Sequence, residues 1–214
     1  MKFFLTLFFI LCVSFSFGQK KEIKKAIKLF ESGDVQGAKD LIDSNSNLFE
    51  AAEAKITNQK LYLEGKIFQA NKNFQLAYEN FKAYKEAGGN NADYENQLQS
   101  LSSDIVNSAI EDNAENRFID ATSKLYLAYI IFPEQNKDYL YYAASSAVNG
   151  KDFDKALKYY NILKNMNYEG IVVRYMATSN ETNEEIELSE TEYNLYKKTK
   201  EFKDFREENT QSRY

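Results

Sequence analysis

The sequence predicts an all-α stack of helix-turn-helix units that closes with a small C-terminal β-hairpin and a final helix. Three observations predict it. Four alanines (Ala38, Ala77, Ala121 and Ala156) each follow a short turn and each precede a large apolar residue by about one helical turn. Recurrence of one such unit means a solenoid, and solenoids mostly bind other proteins. Apolar residues recur in steps of three and four almost everywhere between Glu22 and Asn165, which is the period of helices with one buried face. After Asn165 that period gives way to alternation, the period of a strand.

The chain opens like a secretory leader. Met1-Lys2 is a short positive start, Phe3 to Phe17 is nearly all apolar, and Ser16 and Gly18 stand where a cleavage site wants small residues. The 15-residue run from Phe3 to Phe17 is shorter than the roughly 20 residues of a membrane span. A signal peptide over 1–18, cleaved near Gly18, is therefore expected, and with it export to the periplasm or the medium. A retained anchor is the alternative. Cys12 lies inside the run, either as an ordinary small apolar residue or as a lipidated cysteine; Leu11 before it and the apolar residues after it argue against lipidation. Cleavage would remove the chain's one cysteine, so stability must come from the core without disulfides. The net charge of −5 becomes −6 once Lys2 is gone, which suits solubility and not nucleic-acid binding. No stable membrane span is expected in the mature chain.

Residues 19–167 read as about four repeats. Ile23, Ala26, Ile27 and Phe30 form the first stripe, with Lys20, Lys21, Lys24, Lys25 and Lys28 on the solvent side or against a membrane surface. Leu61, Gly65 and Phe68 are answered by Phe74, Ala77, Tyr78, Phe81 and Tyr84. Leu98, Leu101, Ile105 and Ala109 face Phe118, Ala121, Leu125, Ala128 and Phe132. Leu140, Ala144 and Ala147 face Phe153, Ala156, Leu157, Tyr160 and Leu163. Asp34, Asn73, Asn116 and Asp152 are expected to cap the second helices, and Gly33, Gly88-Gly89 and Gly150 to take left-handed turn conformations. Small residues at fixed points let paired helices approach, so Gly65 is expected against Ala77 and Ala144 against Ala156.

This pattern resembles the tetratricopeptide repeat. Leu61, Gly65, Phe68, Ala77, Phe81 and Tyr84 fall on successive signature positions of that motif, as do Ala109, Ala121, Leu125, Ala128 and Pro133, and then Leu140, Ala144, Ala156, Tyr160 and Leu163. The unit around Ala26, Gly33 and Ala38 is a weaker terminal match. The resemblance implies a right-handed superhelix whose first helices line a concave groove. Carried over by position, the partner-binding groove holds Tyr62, Lys66, Gln69, Val106, Ile110, Asn113, Tyr141, Ser145 and Val148. The alanines are 39, 44 and 35 residues apart, against a family period of 34. Extra residues are therefore expected at the first two joints, near Ser44 to Leu48 and Ala87 to Asn91.

The tail is different. Ile171, Val173 and Tyr175 alternate, Ser179 to Asn183 is turn-like, and Glu184 to Leu188 alternates again, which predicts a β-hairpin over 168–189. Ser189-Glu190-Thr191-Glu192 is a capping box that opens a charged helix over 190–214, with Tyr193, Tyr196 and Phe202 on its apolar side. The order resembles exported bacterial tetratricopeptide proteins with a hairpin inserted between repeats. It gives the expectation that the last helix starts a further repeat truncated at Tyr214.

Little predicts chemistry. There is no histidine, and no cysteine outside the leader, which removes the usual metal ligands, general base and thiol nucleophile. Glu184, Glu185 and Glu187 cluster, but as a solvated strand face. No catalytic residue, metal or cofactor is expected. The expected function is a non-enzymatic scaffold that docks a protein or peptide in the bacterial envelope, within a larger complex or alone. The alternative is a glycan or nutrient-uptake component of the outer membrane, suggested by the wealth of tyrosine (16 Tyr, 16 Phe, no Trp).

Overall fold

The computed structural model describes residues 18–50 and 52–211. Residues 1–17 of the expected leader, including Cys12, and the last three residues lie outside that range; Gly18 is the first described residue. Among the described residues the chain is mostly helical. A helix over 18–31 (α1) is followed by α2 (Val35–Ser44), α3 (Ser46–Phe49), α4 (Ala54–Ala70), α5 (Phe74–Glu86), α6 (Asn91–Ala114), α7 (Phe118–Ile131), α8 (Lys137–Asn149) and α9 (Phe153–Asn165). Strands β1 (Ile171–Ser179) and β2 (Glu185–Leu188), helix α10 (Glu190–Tyr196) and strand β3 (Phe202–Gln211) complete it. From α4 onward each helix up to α9 packs on its neighbour in sequence.

One turn geometry recurs six times among the described residues: it closes α5 at Gly88 and α9 at Asn167, and it precedes each of the four signature alanines. Gly33, Lys72, Asn116 and Lys151 all take left-handed backbone, with φ of 89°, 59°, 62° and 60°. At each of these four turns the amide one residue later reaches five residues back: Asp34 to Leu29, Asn73 to Phe68, Arg117 to Asp112 and Asp152 to Ala147, at 2.7–2.9 Å. That pair of features is the Schellman closure of a helix. The residue after the left-handed one is the N-cap, and the signature alanine sits four residues further on. Ala38, Ala77, Ala121 and Ala156 donate to the carbonyls of Asp34, Asn73, Arg117 and Asp152 at 3.0–3.1 Å, which starts the second helix. All four alanines are buried.

Two details of the expected turns are corrected. Asp34 and Asp152 accept from Gly37 and Lys155 as caps, but Asn73 makes no side-chain cap bond, and Arg117, not Asn116, holds the N-cap position of α7. Gly150 keeps helical backbone and Lys151 is the left-handed residue. The approach at Gly150 is close: a Cβ there would come within 2.9 Å of Ile119 Cδ1, the end of a flexible side chain, and 3.1 Å of Phe118 Cβ.

Three cores run along the stack. Ile23, Ala26, Ala38, Ile42, Leu63 and Ile67 form the first. Phe74, Ala77, Phe81, Leu98, Leu101, Ile105, Leu127 and Ala128 form the second. Ala109, Ala121, Leu125, Leu140, Ala144, Tyr159 and Leu163 form the third. Helix α4 belongs to two of them. Leu63 and Ile67 face the first, while Tyr62 and Phe68 pack on the second, so α4 buries two faces where one stripe was expected. The atoms nearest a Cβ at Gly65 all belong to the Phe81 ring, at 2.4–2.9 Å, one turn beyond the expected Ala77. The extra residues at the joints become the one-turn helix α3 and the 24-residue length of α6. The five lysines of α1 are all exposed while Ile23 and Ala26 are buried.

Helix α9 is rotated relative to expectation. Ala156, Tyr159 and Leu163 are its buried residues. Phe153 and Leu157, expected in the core, are both 64% exposed, and Tyr160 is 37% exposed. The next α9-type neighbour that would cover them is not present among the described residues.

The tail forms a three-stranded antiparallel sheet in the order β2-β1-β3. The hairpin pairs Tyr175 with Leu188 and Thr178 with Glu185. The capping box is made on both sides, with Ser189 accepting from the Glu192 amide and Glu192 accepting from the Ser189 amide. The helix expected over 190–214 is corrected: it stops at Tyr196, and Phe202–Gln211 is a strand beside β1. The third strand is bulged. Thr178 pairs with Lys203 but Met176 with Arg206, so β3 carries one extra residue, and Asp204 there has φ 53°. That residue sets Phe202 and Phe205 three apart, a helical spacing, although both pack in the same aromatic cluster with Ala177, Leu188 and Tyr193.

Candidate functional site

The nine expected groove residues divide among three environments. Tyr62 and Lys66 line a cavity of about 480 Å³ with Ile27 and Phe30 of α1, and Tyr84 and Gly89 of the α5–α6 joint. The wall is a set of rings. Tyr62 lies 5.0 Å from Tyr84 and 5.9 Å from Phe81, centroid to centroid. The Lys66 ammonium sits 4.9 Å above the Phe30 ring and 5.8 Å from Tyr62, a cation held on aromatic faces. Gly89 lets Tyr84 close the wall, because a Cβ would lie 2.4–2.5 Å from its ring. The Tyr84 hydroxyl accepts from the Asn90 amide at 2.8 Å. Burial, then the charge of Asp93, pushes the Tyr62 phenol above its ordinary pKa, so it is neutral at pH 7.

Gln69 is a framework residue. It is buried, donates to Asp104 Oδ2 at 2.7 Å and Ser100 Oγ at 3.2 Å, and accepts from Gln97 Nε2 at 2.7 Å. Gln97 in turn accepts from the Tyr62 hydroxyl at 3.2 Å. This chain of bonds ties α4 to α6 and fixes the Tyr62 ring.

Val106, Ile110, Asn113 and Ser145 line a second cavity of about 620 Å³ between α6, α7 and α8, with Tyr139 and Tyr142. Ile110 is 60% exposed at its mouth. Asn113 accepts from Ser146 Oγ at 3.0 Å and bridges α6 to α8. The α6–α7 turn beside it is locked by Asp112, which is 2% exposed and accepts from Arg117 Nε at 2.9 Å and from the Lys124 ammonium. Burial alone would raise the Asp112 pKa, but the bonds from Lys124 and Arg117 outweigh it and hold the carboxyl below its ordinary value.

Tyr141 and Val148 line neither cavity; both are 42% exposed. Tyr141 belongs to a cluster on α8 and α9, with rings of Tyr142 at 5.8 Å and of Tyr160 and Tyr168 at 6.2 Å. Tyr168 donates to Asp138 in a short hydrogen bond, and burial together with that carboxylate raises its pKa. Tyr139, Tyr142, Ile27 and Phe30 were missed as lining residues. The first two lie on the turns adjoining expected positions, where periodicity gave the only signal, and the last two come from a neighbouring helix.

Glu185 and Glu187 of the acidic cluster in the tail are paired. Glu187 accepts from Arg174 at 2.7 and 2.9 Å, and Glu185 is bound by Arg206. Those bonds hold both carboxyls below the usual glutamate pKa, hence ionised at pH 7. Among the described residues no three His, Cys, Asp or Glu side chains are placed to hold a metal ion, and no helix is long and apolar enough to cross a membrane. No protein-family model, curated protein or solved structure matches this chain.

Proposed function

We propose that the chain is a non-enzymatic scaffold of the tetratricopeptide type, exported to the bacterial envelope, whose first helices dock a polypeptide. The observation that carries this reading is the pair of cavities on successive helical units. Six of the nine groove positions line them: Tyr62 and Lys66 in one, and Val106, Ile110, Asn113 and Ser145 in the other. Both volumes lie within the range of ligand-binding clefts, and both are walled by apolar and aromatic side chains with a few polar groups, as a side-chain pocket for a peptide requires. The Schellman turn repeated at Gly33, Lys72, Asn116 and Lys151 supports the repeat assignment, and the apolar run from Phe3 to Phe17 supports export. The experiment is a pull-down from envelope extract that compares the wild type with Lys66→Glu and Ile110→Asp. A docked polypeptide is lost from both variants while their helix content by circular dichroism stays at the wild-type level. Equal recovery of every bound protein by all three removes the groove reading.

A further inference from the structure

The outer face of α9 is a second copy of the outer face of α5, without the helix that covers α5. The two turns run Lys72-Asn73-Phe74 and Lys151-Asp152-Phe153, with φ of 59° and 60° at the lysines and the signature alanine three residues after each phenylalanine. On α5 the positions that follow are Tyr78, Phe81 and Lys85; on α9 they are Leu157, Tyr160 and Lys164. Phe74 and Phe81 are 5% and 0% exposed because Leu98, Leu101 and Ile105 of α6 lie on them. Phe153 and Leu157 are each 64% exposed. Helix α6 carries five acidic and no basic residues. It runs antiparallel to α5: Glu111 near its C-terminus pairs with Lys72 at 3.2 Å, and Tyr94 near its N-terminus lies under the Lys85 ammonium at 5.4 Å. Lys151 and Lys164 occupy the equivalent places on α9 and make no ion pair among the described residues.

We infer that the α9 face docks an acidic amphipathic helix of another polypeptide, antiparallel to α9, with large apolar residues at i, i+3 and i+7 on Phe153, Leu157 and Tyr160, and an acidic C-terminal turn at Lys151. The internal α5–α6 seam sets both the geometry and the charge of the occupant. Neither Phe153 nor Leu157 lines either cavity, while Tyr160 meets the Tyr141 ring at 6.2 Å and shares a 3.3 Å hydrogen bond with Ser145, so the face adjoins the second cavity at Tyr160 alone and its centre lies outside the groove. A second copy cannot supply the covering helix from its own α6, whose apolar stripe is buried in its own stack.

The probe is a synthetic peptide of residues 91–114, with a side-chain staple on its polar face so that helix formation is not the limiting cost. It is titrated into the full 214-residue chain by calorimetry. One-to-one saturable binding is expected below about 100 μM, since a seam of three side chains is smaller than a standard interface. Leu157→Asp and, separately, Phe153→Asp weaken it at least tenfold with no change in thermal midpoint. Lys151→Glu weakens it about two- to fivefold, the range of an exposed ion pair, and Glu111→Lys in the peptide restores the loss. Absence of saturable binding by the stapled peptide overturns the inference. So does equal affinity for the Asp variants, which would place the peptide elsewhere. A full chain that dimerises by sedimentation and becomes monomeric with Leu157→Asp assigns the face to a second copy and also overturns it.

Discussion

Helices α5 and α9 begin with a lysine, a phenylalanine and an alanine in matching places and end in opposite environments. Phe74, Tyr78 and Phe81 are folded under α6, while Phe153, Leu157 and Tyr160 face water. The residues themselves do not differ enough to cause this. The difference lies in what comes next along the chain: α5 is followed by a 24-residue amphipathic helix, and α9 by a strand that pairs into a separate sheet with its own aromatic core. Burial of a repeat residue is thus set by its neighbour unit, and the same phenylalanine is a core residue in one place and a free surface in another.

The largest expected contrast comes from truncating the covered face. Phe81→Ala removes a fully buried ring that also fills the space over Gly65, and a loss of about 3–5 kcal/mol is expected in urea unfolding. Tyr160→Ala, at the equivalent position of α9, should cost less than about 1 kcal/mol, because the ring is already in contact with water. Similar losses at the two positions would break the comparison.

A somewhat smaller effect tests whether the turns are as alike in energy as in shape. The turn before α7 is the one locked by a buried carboxylate, and Asp112→Ala should cost about 2–4 kcal/mol, less than a fully buried triad because Lys124 and Arg117 keep some water. The linked pH effect has a fixed sign. The folded Asp112 pKa is lowered, so its contribution is complete above the unfolded carboxyl value of about 3.9 and disappears as pH falls through the lower folded value. Acid unfolding of the wild type and of Asp112→Asn should therefore converge once the pH falls below the lowered folded value. Parallel curves down to the lowest pH would show that the carboxylate adds nothing.

Glycine closeness sharpens the comparison further. Gly65→Ala drives a methyl into the Phe81 ring and should cost about 1–3 kcal/mol. Gly150→Ala meets the flexible end of Ile119 first and should cost about 1 kcal/mol or less, measured in the same urea assay.

The smallest effect concerns the inner side of α9. Tyr159 stacks on Tyr126 at 4.5 Å, and burial, with Tyr126 nearby, pushes its phenol up to about 12. A raised folded value means that its contribution is complete below the unfolded tyrosine pKa of about 10 and is lost as pH rises towards 12. Tyr159→Phe should flatten the loss of stability above pH 10. An unchanged slope would mean that other tyrosines carry it.

The lining of the cavities was partly legible. Val106, Ile110, Asn113 and Ser145 converge on one cavity because they share a phase on successive first helices, which periodicity reports well. Gln69 shares that phase too, yet it is consumed by Asp104, Ser100 and Gln97, because α4 and α6 approach closely enough to bury it. Tyr141 and Val148 fall outside the cavities, since α8 presents Tyr142 and Ser145 there instead.

By itself, the sequence determined much of the local grammar: that a short turn precedes each second helix, which alanines start those helices, and where the helical period yields to strands. Those features depend on residues within a few positions of one another, so a linear reading captures them. Tertiary structure alone decided three things: that α4 serves two cores, that Phe202 and Phe205 share a face across a bulge in a third strand, and that α9 leaves Phe153 and Leu157 in water. Each depends on which distant segment arrives beside a given face, and burial is a property of that meeting and not of the residue that waits for it.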